Sequence, residues 1–145
     1  MQTETYDYNT MIFSNKIKKL IIPVMIVLLA SCQGNTDREW RVSNESSDTV
    51  HVKASLVFIA DTIYDTVAPG DINIITITNE EKGNSLPQQA YDVFSFFMIS
   101  GDEGDTIRKN FLDNDNWDIY IEQTKSNPQH FEQTYTMIVT DKDLQ

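Results

Sequence analysis

The stretch Trp117-Asp118-Ile119-Tyr120-Ile121-Glu122-Gln123, followed after a polar turn by Phe131-Glu132-Gln133-Thr134-Tyr135-Thr136-Met137-Ile138-Val139, sets the fold class. Trp117, Ile119 and Ile121 recur at every second position of the first half, as do Tyr135, Met137 and Val139 in the second. A period of two puts alternate side chains on opposite faces of a strand, whereas a helix would space its apolar residues by three and four. Ser126-Asn127-Pro128 between the halves is turn chemistry. The segment reads as two half-buried strands.

Working outward, the same signal predicts strands over 39–43, 49–60, 63–67, 71–79, 91–100, 106–109, 117–123 and 131–140. The breaks have chemical causes: 44–48 is all polar, Pro69-Gly70 fixes a turn, 80–89 carries Gly83 and Pro87, and 101–105 carries Gly101 and Gly104. No helix-period segment and no internal repeat interrupts the series. About seven or eight short strands over roughly 100 residues predict an all-β, antiparallel, immunoglobulin-like β-sandwich. With one cysteine in the chain, no disulfide can staple the sheets. Packing must hold them, and Trp40, Val52, Leu56, Phe58, Ile74, Val93, Phe97 and Ile99 join the alternating residues above as the expected core.

One strand is apolar on both faces. In 91–100, Val93, Phe97 and Ile99 point one way and Phe94, Phe96 and Met98 the other. Either a long connection such as 110–116, with Phe111 and Leu112, covers the second face, or Phe94, Phe96 and Met98 form an exposed interaction face.

The N-terminal third has a different grammar. Lys16, Lys18 and Lys19 precede an apolar run from Leu20 to Ala30, which is the basic head and short hydrophobic stretch of an export signal. The run is shorter than the about 20 residues needed to span a bilayer. Residues 1–31 are therefore expected to be a cleaved signal peptide. Because Glu4 and Asp7 put acid where the head needs base, 1–10 reads as an extension before a truer start at Met11. Residues 32–37 are expected to be a short polar tether and 38–145 the sandwich.

Leu29-Ala30-Ser31-Cys32 resembles the lipobox of bacterial lipoproteins. That resemblance implies a diacylglycerol thioether on Cys32, acylation of the new amino group by a chain such as palmitate, and a membrane partner reached through lipid. Gln33 stands where an aspartate often marks inner-membrane retention, so the resemblance implies the outer membrane, on either its periplasmic or its surface side. The lipobox, polar tether, Asn44-Glu45-Ser46-Ser47 turn, Asp-Thr-Ile segments and closing Val139-Thr140-Asp141-Lys142-Asp143-Leu144 together resemble small uncharacterised Bacteroidota lipoproteins with an immunoglobulin-like domain. Four triplets, Asp48-Thr49-Val50, Asp61-Thr62-Ile63, Asp65-Thr66-Val67 and Asp105-Thr106-Ile107, resemble the O-glycosylation sequon of that group, which implies modification at Thr49, Thr62, Thr66 or Thr106. An aspartate turn leading into β-branched residues is also how strands begin.

From Cys32 onward 8 basic residues face 20 acidic ones, since Lys16, Lys18, Lys19, Glu4 and Asp7 all lie earlier. A net charge of −12 is repelled by phosphates, so nucleic acid is not an expected partner. His51 and His130 lack companions at metal-ligand spacing, and neither a Gly-x-Ser-x-Gly elbow nor a phosphate loop occurs. Asp113, Asp115 and Asp118 alternate like calcium ligands, but without the glycine and distal glutamate of a calcium loop they read first as an Asx-rich turn. No cofactor and no catalytic residue is expected. The leading functional expectation is a lipid-anchored, non-catalytic interaction or accessory module that meets an envelope protein or a second copy of itself. Behind it stand a glycan-binding module using Tyr64, Tyr120 or Trp117 as an aromatic platform, and a hydrolase with unrecognised carboxylates.

Overall fold

β-branched and aromatic residues at alternate positions, cut by Asx, proline and glycine turns, give seven strands. The structure is a computed structural model and describes residues 34–59, 61–102, 104, 106–107 and 109–144. The signal at 1–31, the start at Met11 and the lipid-bearing Cys32 lie outside the described residues, as does Asp105 of the fourth triplet. The strands are β1 Asn35–Asn44, β2 Val50–Leu56, β3 Thr62–Val67, β4 Ile72–Glu80, β5 Phe94–Gly101, β6 Asp118–Ser126 and β7 Gln129–Val139. One helical turn, Ala90–Val93, leads into β5, and a 3-10 turn, Asn114–Asn116, precedes β6.

Two sheets form, β4-β1-β7-β6 and β3-β2-β5. This four-plus-three layering is that of a constant-type immunoglobulin-like sandwich, with its own strand order. The expected antiparallel pairing holds for every pair but one: β1 and β7 run parallel from Asn35 opposite His130 to Asn44 opposite Val139. The whole intervening chain serves as their crossover.

The inner faces meet in an aromatic cluster. Trp40 of β1 stacks on Tyr135 of β7 with centroids 4.0 Å apart, and meets Trp117 and Phe94 edge-on at 5.0 and 5.4 Å. Such pairs contribute about 0.5–1.5 kcal/mol beyond the area they bury. Phe111 closes the cluster against Phe97, and its carbonyl accepts the indole N–H of Trp117 at 2.8 Å. The connection carrying Phe111 thus plugs the side of the core and does not cover an outer face.

Two expected core positions are corrected. Ile74 is 53% exposed, and Ile75 is buried in its place. The cause is a β-bulge: Trp40 pairs with Thr76 but Arg41 with Ile74, so Ile75 is the extra residue and turns inward. Phe58 is 78% exposed because β2 ends at Leu56, leaving Phe58 in the turn that was expected to be strand. Three further boundaries differ. Of the expected strand 106–109 the described residues show a single bridge, Ser100 to Thr106. The segment 90–93, expected within a strand, is largely the helical turn. Asn35, Thr36 and Asp37, read as tether, belong to β1, where Thr36 is fully buried between Glu80 and Phe131.

At the end where β1 begins, residues 81–89 fold over a polar end of the core. The Arg38 guanidinium donates to Gln133 Oε1 at 3.1 Å and to Glu80 Oε2 at 2.6 Å. Gln133 also accepts from the Tyr135 hydroxyl at 2.6 Å and donates to the carbonyls of Asn84 and Leu86 at 2.8 and 3.0 Å. The Arg38 hydrogen bond holds the Glu80 carboxyl below its usual range, while burial pushes the Tyr135 phenol up.

Candidate functional site

The pairing registers of β3, β2 and β5 fix what their outer face presents. Three cross-strand rows result: Thr66, His51 and Ser100; Tyr64, Lys53 and Met98; and Thr62, Ser55 and Phe96. Strand alternation puts all nine side chains on one side of the sheet. Lys53 occupies the middle, with its ammonium 5.4 Å from the Tyr64 ring centre and 5.9 Å from that of Phe96, both within cation–π range. Tyr64 is 71% and Phe96 43% exposed. Hydroxyls and imidazole frame this aromatic pair: Ser55 and Thr62 hydrogen-bond at 3.0 Å, and His51 bridges Thr66 at 3.2 Å to Asp102 at 2.9 Å. A shallow depression of about 470 Å³ runs between His51, Lys53, Tyr64, Thr66, Met98 and Ser100. The surface is two rings beside a cation with polar groups at the rim, suited to holding a partner by contact.

The expected interaction face is thereby split. Phe96 and Met98 lie on the grid, but Phe94 is only 1% exposed and packs against Trp40. Another bulge is responsible: Ser55 pairs with Phe96 and Leu56 with Phe94, so Ser95 is the extra residue and reverses the phase before it. The expected aromatic platforms also part. Tyr64 joins the grid, Tyr120 is exposed on β6 of the other sheet, and Trp117 is buried in the core. Lys53, the centre of the grid, was not singled out by the sequence. Its signal was a basic residue in outward phase between His51 and Ser55, but only the register places it between two rings.

The threonines of the triplets spread along the sandwich. Thr62 and Thr66 stand on the outward row of β3, Thr49 is half-buried before β2, and Thr106 is exposed. The amides of Thr62 and Thr66 each donate to the preceding aspartate, Asp61 or Asp65, at 2.8 Å. The Asx-rich turn is similarly occupied by its own backbone, with Asp113 accepting from the Asp115 amide at 3.1 Å and Asn114 accepting from the Ala90 amide at 2.8 Å. Asp115 and Asp118 are exposed. Among the described residues no three His, Cys, Asp or Glu side chains gather as a metal site. His130 lies 3.5 Å from Asp37 and 3.6 Å from Glu132 on the outer face of the larger sheet, beside a shallow depression of about 350 Å³. No described helix is long and apolar enough to cross a membrane.

The fold and its open grid define a small all-β sandwich with a contact face. No protein-family model matches the chain, and neither the curated proteins nor the solved structures compared with it contain a match.

Proposed function

We propose that this chain is a lipid-anchored protein of the cell envelope whose sandwich is a non-catalytic interaction module, with the Tyr64-Lys53-Phe96 grid as its contact face. The observation that carries the reading is that two aromatic rings stay open around a lysine on a sheet face whose inner side is fully packed. Tyrosine and other amphipathic aromatics dominate the energetics of interfaces because they bury much area at little entropic cost. The lipobox at Leu29 to Cys32 supports an anchor in the outer membrane. A photo-crosslinking residue at position 64 should capture one envelope protein, or a second copy of this chain, while the same residue at Glu122 on the opposite sheet should not. Equal labelling from both positions would remove the grid as the contact face.

Glycan binding is the second reading, favoured by hydroxyls and imidazole surrounding exposed rings. Under that reading Tyr64→Ala should abolish retention on a glycan array, and under the first it should not matter there.

A further inference from the structure

Val57, Phe58 and Ile59 are three consecutive apolar residues at the β2–β3 turn, 47, 78 and 57% exposed, and Leu86 in the neighbouring connection is 69% exposed. A run of this kind on a soluble surface is costly unless something covers it. Its place in the fold says what that is. β1 begins at Asn35, and Glu80, opposite Thr36, shares a crevice with Phe58, Arg38, Asn84 and Leu86. The far end of β2 and β3 lies instead beside the exit of β1, where the Asn44 amide donates to the Val67 carbonyl at 2.8 Å. The apolar tip and the point where the described chain starts therefore share one end of the sandwich.

That starting point is fixed. Gly34 has φ +72°, and a Cβ there would stand 2.0 Å from the Gln129 carbonyl oxygen, so the backbone is seated directly on the β6–β7 turn. Only Gln33 separates Gly34 from Cys32. At about 3.5 Å per residue, Cys32 lies within roughly 7 Å of Gly34 along the chain. A diacylglycerol on its sulfur would hold that atom at headgroup level, leaving no slack for the domain to stand off.

We propose that Val57, Phe58, Ile59 and Leu86 insert into the interfacial layer of the bilayer that holds the Cys32 lipid, docking the sandwich by its tethered end; this rests on the lipid-anchor reading above. Lys82 and Lys125 at this end are offset by Asp61, Glu81 and Asp92, all exposed. Contact is therefore driven by apolar side chains, and zwitterionic lipid suffices.

Lipidation occupies the thiol of Cys32, the chain's one cysteine, so Phe58→Cys offers a unique site for a nitroxide. The full-length chain carrying it is purified from membranes and reconstituted in phosphatidylcholine vesicles, beside Ala68→Cys, which is exposed at the opposite end. The label at 58 is expected to be several-fold more accessible to oxygen relative to a water-soluble nickel chelate than the label at 68. Leu86→Cys reads the same face and replaces Phe58→Cys if that variant melts below the parent. Equal accessibility at both ends overturns the insertion, and spin–spin broadening between labels at 58 overturns it in favour of a second copy. The mass of the N-terminal peptide separates the two readings: an unmodified Cys32 sinks the anchor and the docking together, whereas a lipidated Cys32 with a water-exposed label sinks the docking alone.

Discussion

Gln133 shows how much one side chain can organise in this protein. Its amide makes four hydrogen bonds, to Arg38, Tyr135 and the carbonyls of Asn84 and Leu86. Gln133→Leu keeps the volume but strands a guanidinium N–H, a phenol and two carbonyls. At about 1–3 kcal/mol for each group left unsatisfied in the interior, the variant should lose about 3 kcal/mol or more, read by urea denaturation. Glu80 belongs to the same network, and Arg38 holds its carboxyl low. A carboxylate depressed in the folded state stabilises above its unfolded pKa, about 4.3, and that stabilisation is lost as pH falls through the folded value. Glu80→Gln should therefore melt lower than the parent at pH 7 and lose less stability between about pH 5 and 3, followed by melting temperature against pH.

At the scale of the strand, two bulges decide which aromatics face water. Phe94→Glu would put an unpaired charge beside Trp40 and should cost several kcal/mol, enough to unfold a domain of ordinary stability. Phe96→Glu, on the outer face, should retain the parent's far-ultraviolet spectrum and melt within a few degrees of it. The contrast in melting checks the bulge at Ser95. Strand existence was legible in the sequence because alternation is local: Trp117, Tyr135, Met137 and Val139 are buried as their spacing predicts. The phase of Phe94 and Ile74 was not legible, because a bulge depends on which partner residue is skipped. Half of the grid was visible as Phe96, Met98 and Tyr64. Its lysine centre required the pairing of β2 with both neighbours.

Across the whole molecule, the boundary of the folded unit matters most. A fragment starting at Arg38 would lack Asn35 to Asp37, and with them the Thr36 hydroxyl that donates to the Lys82 carbonyl and accepts from the Asn84 amide, each at 2.8 Å. A fragment from Gly34 should melt several degrees above one from Arg38, and both should show a far-ultraviolet spectrum dominated by strand. Equal melting would mean that the start of β1 adds nothing to the fold.

The parallel pairing of β1 with β7 also determines how the domain bears a mechanical load. Tension applied at Gly34 and at Thr140 pulls two neighbouring strands in opposite directions along their length, since one enters at one end and the other leaves at the far end. All the rungs between them are then loaded together in shear, and none can be unzipped singly. Pulling between these points in a single-molecule trap should give a higher rupture force than pulling between Thr62 and Gly101, which lie at opposite ends of the smaller sheet on strands that are not paired with each other. A protein held by its first residues and tugged from its last would thus resist along the one axis on which its attachment could strain it.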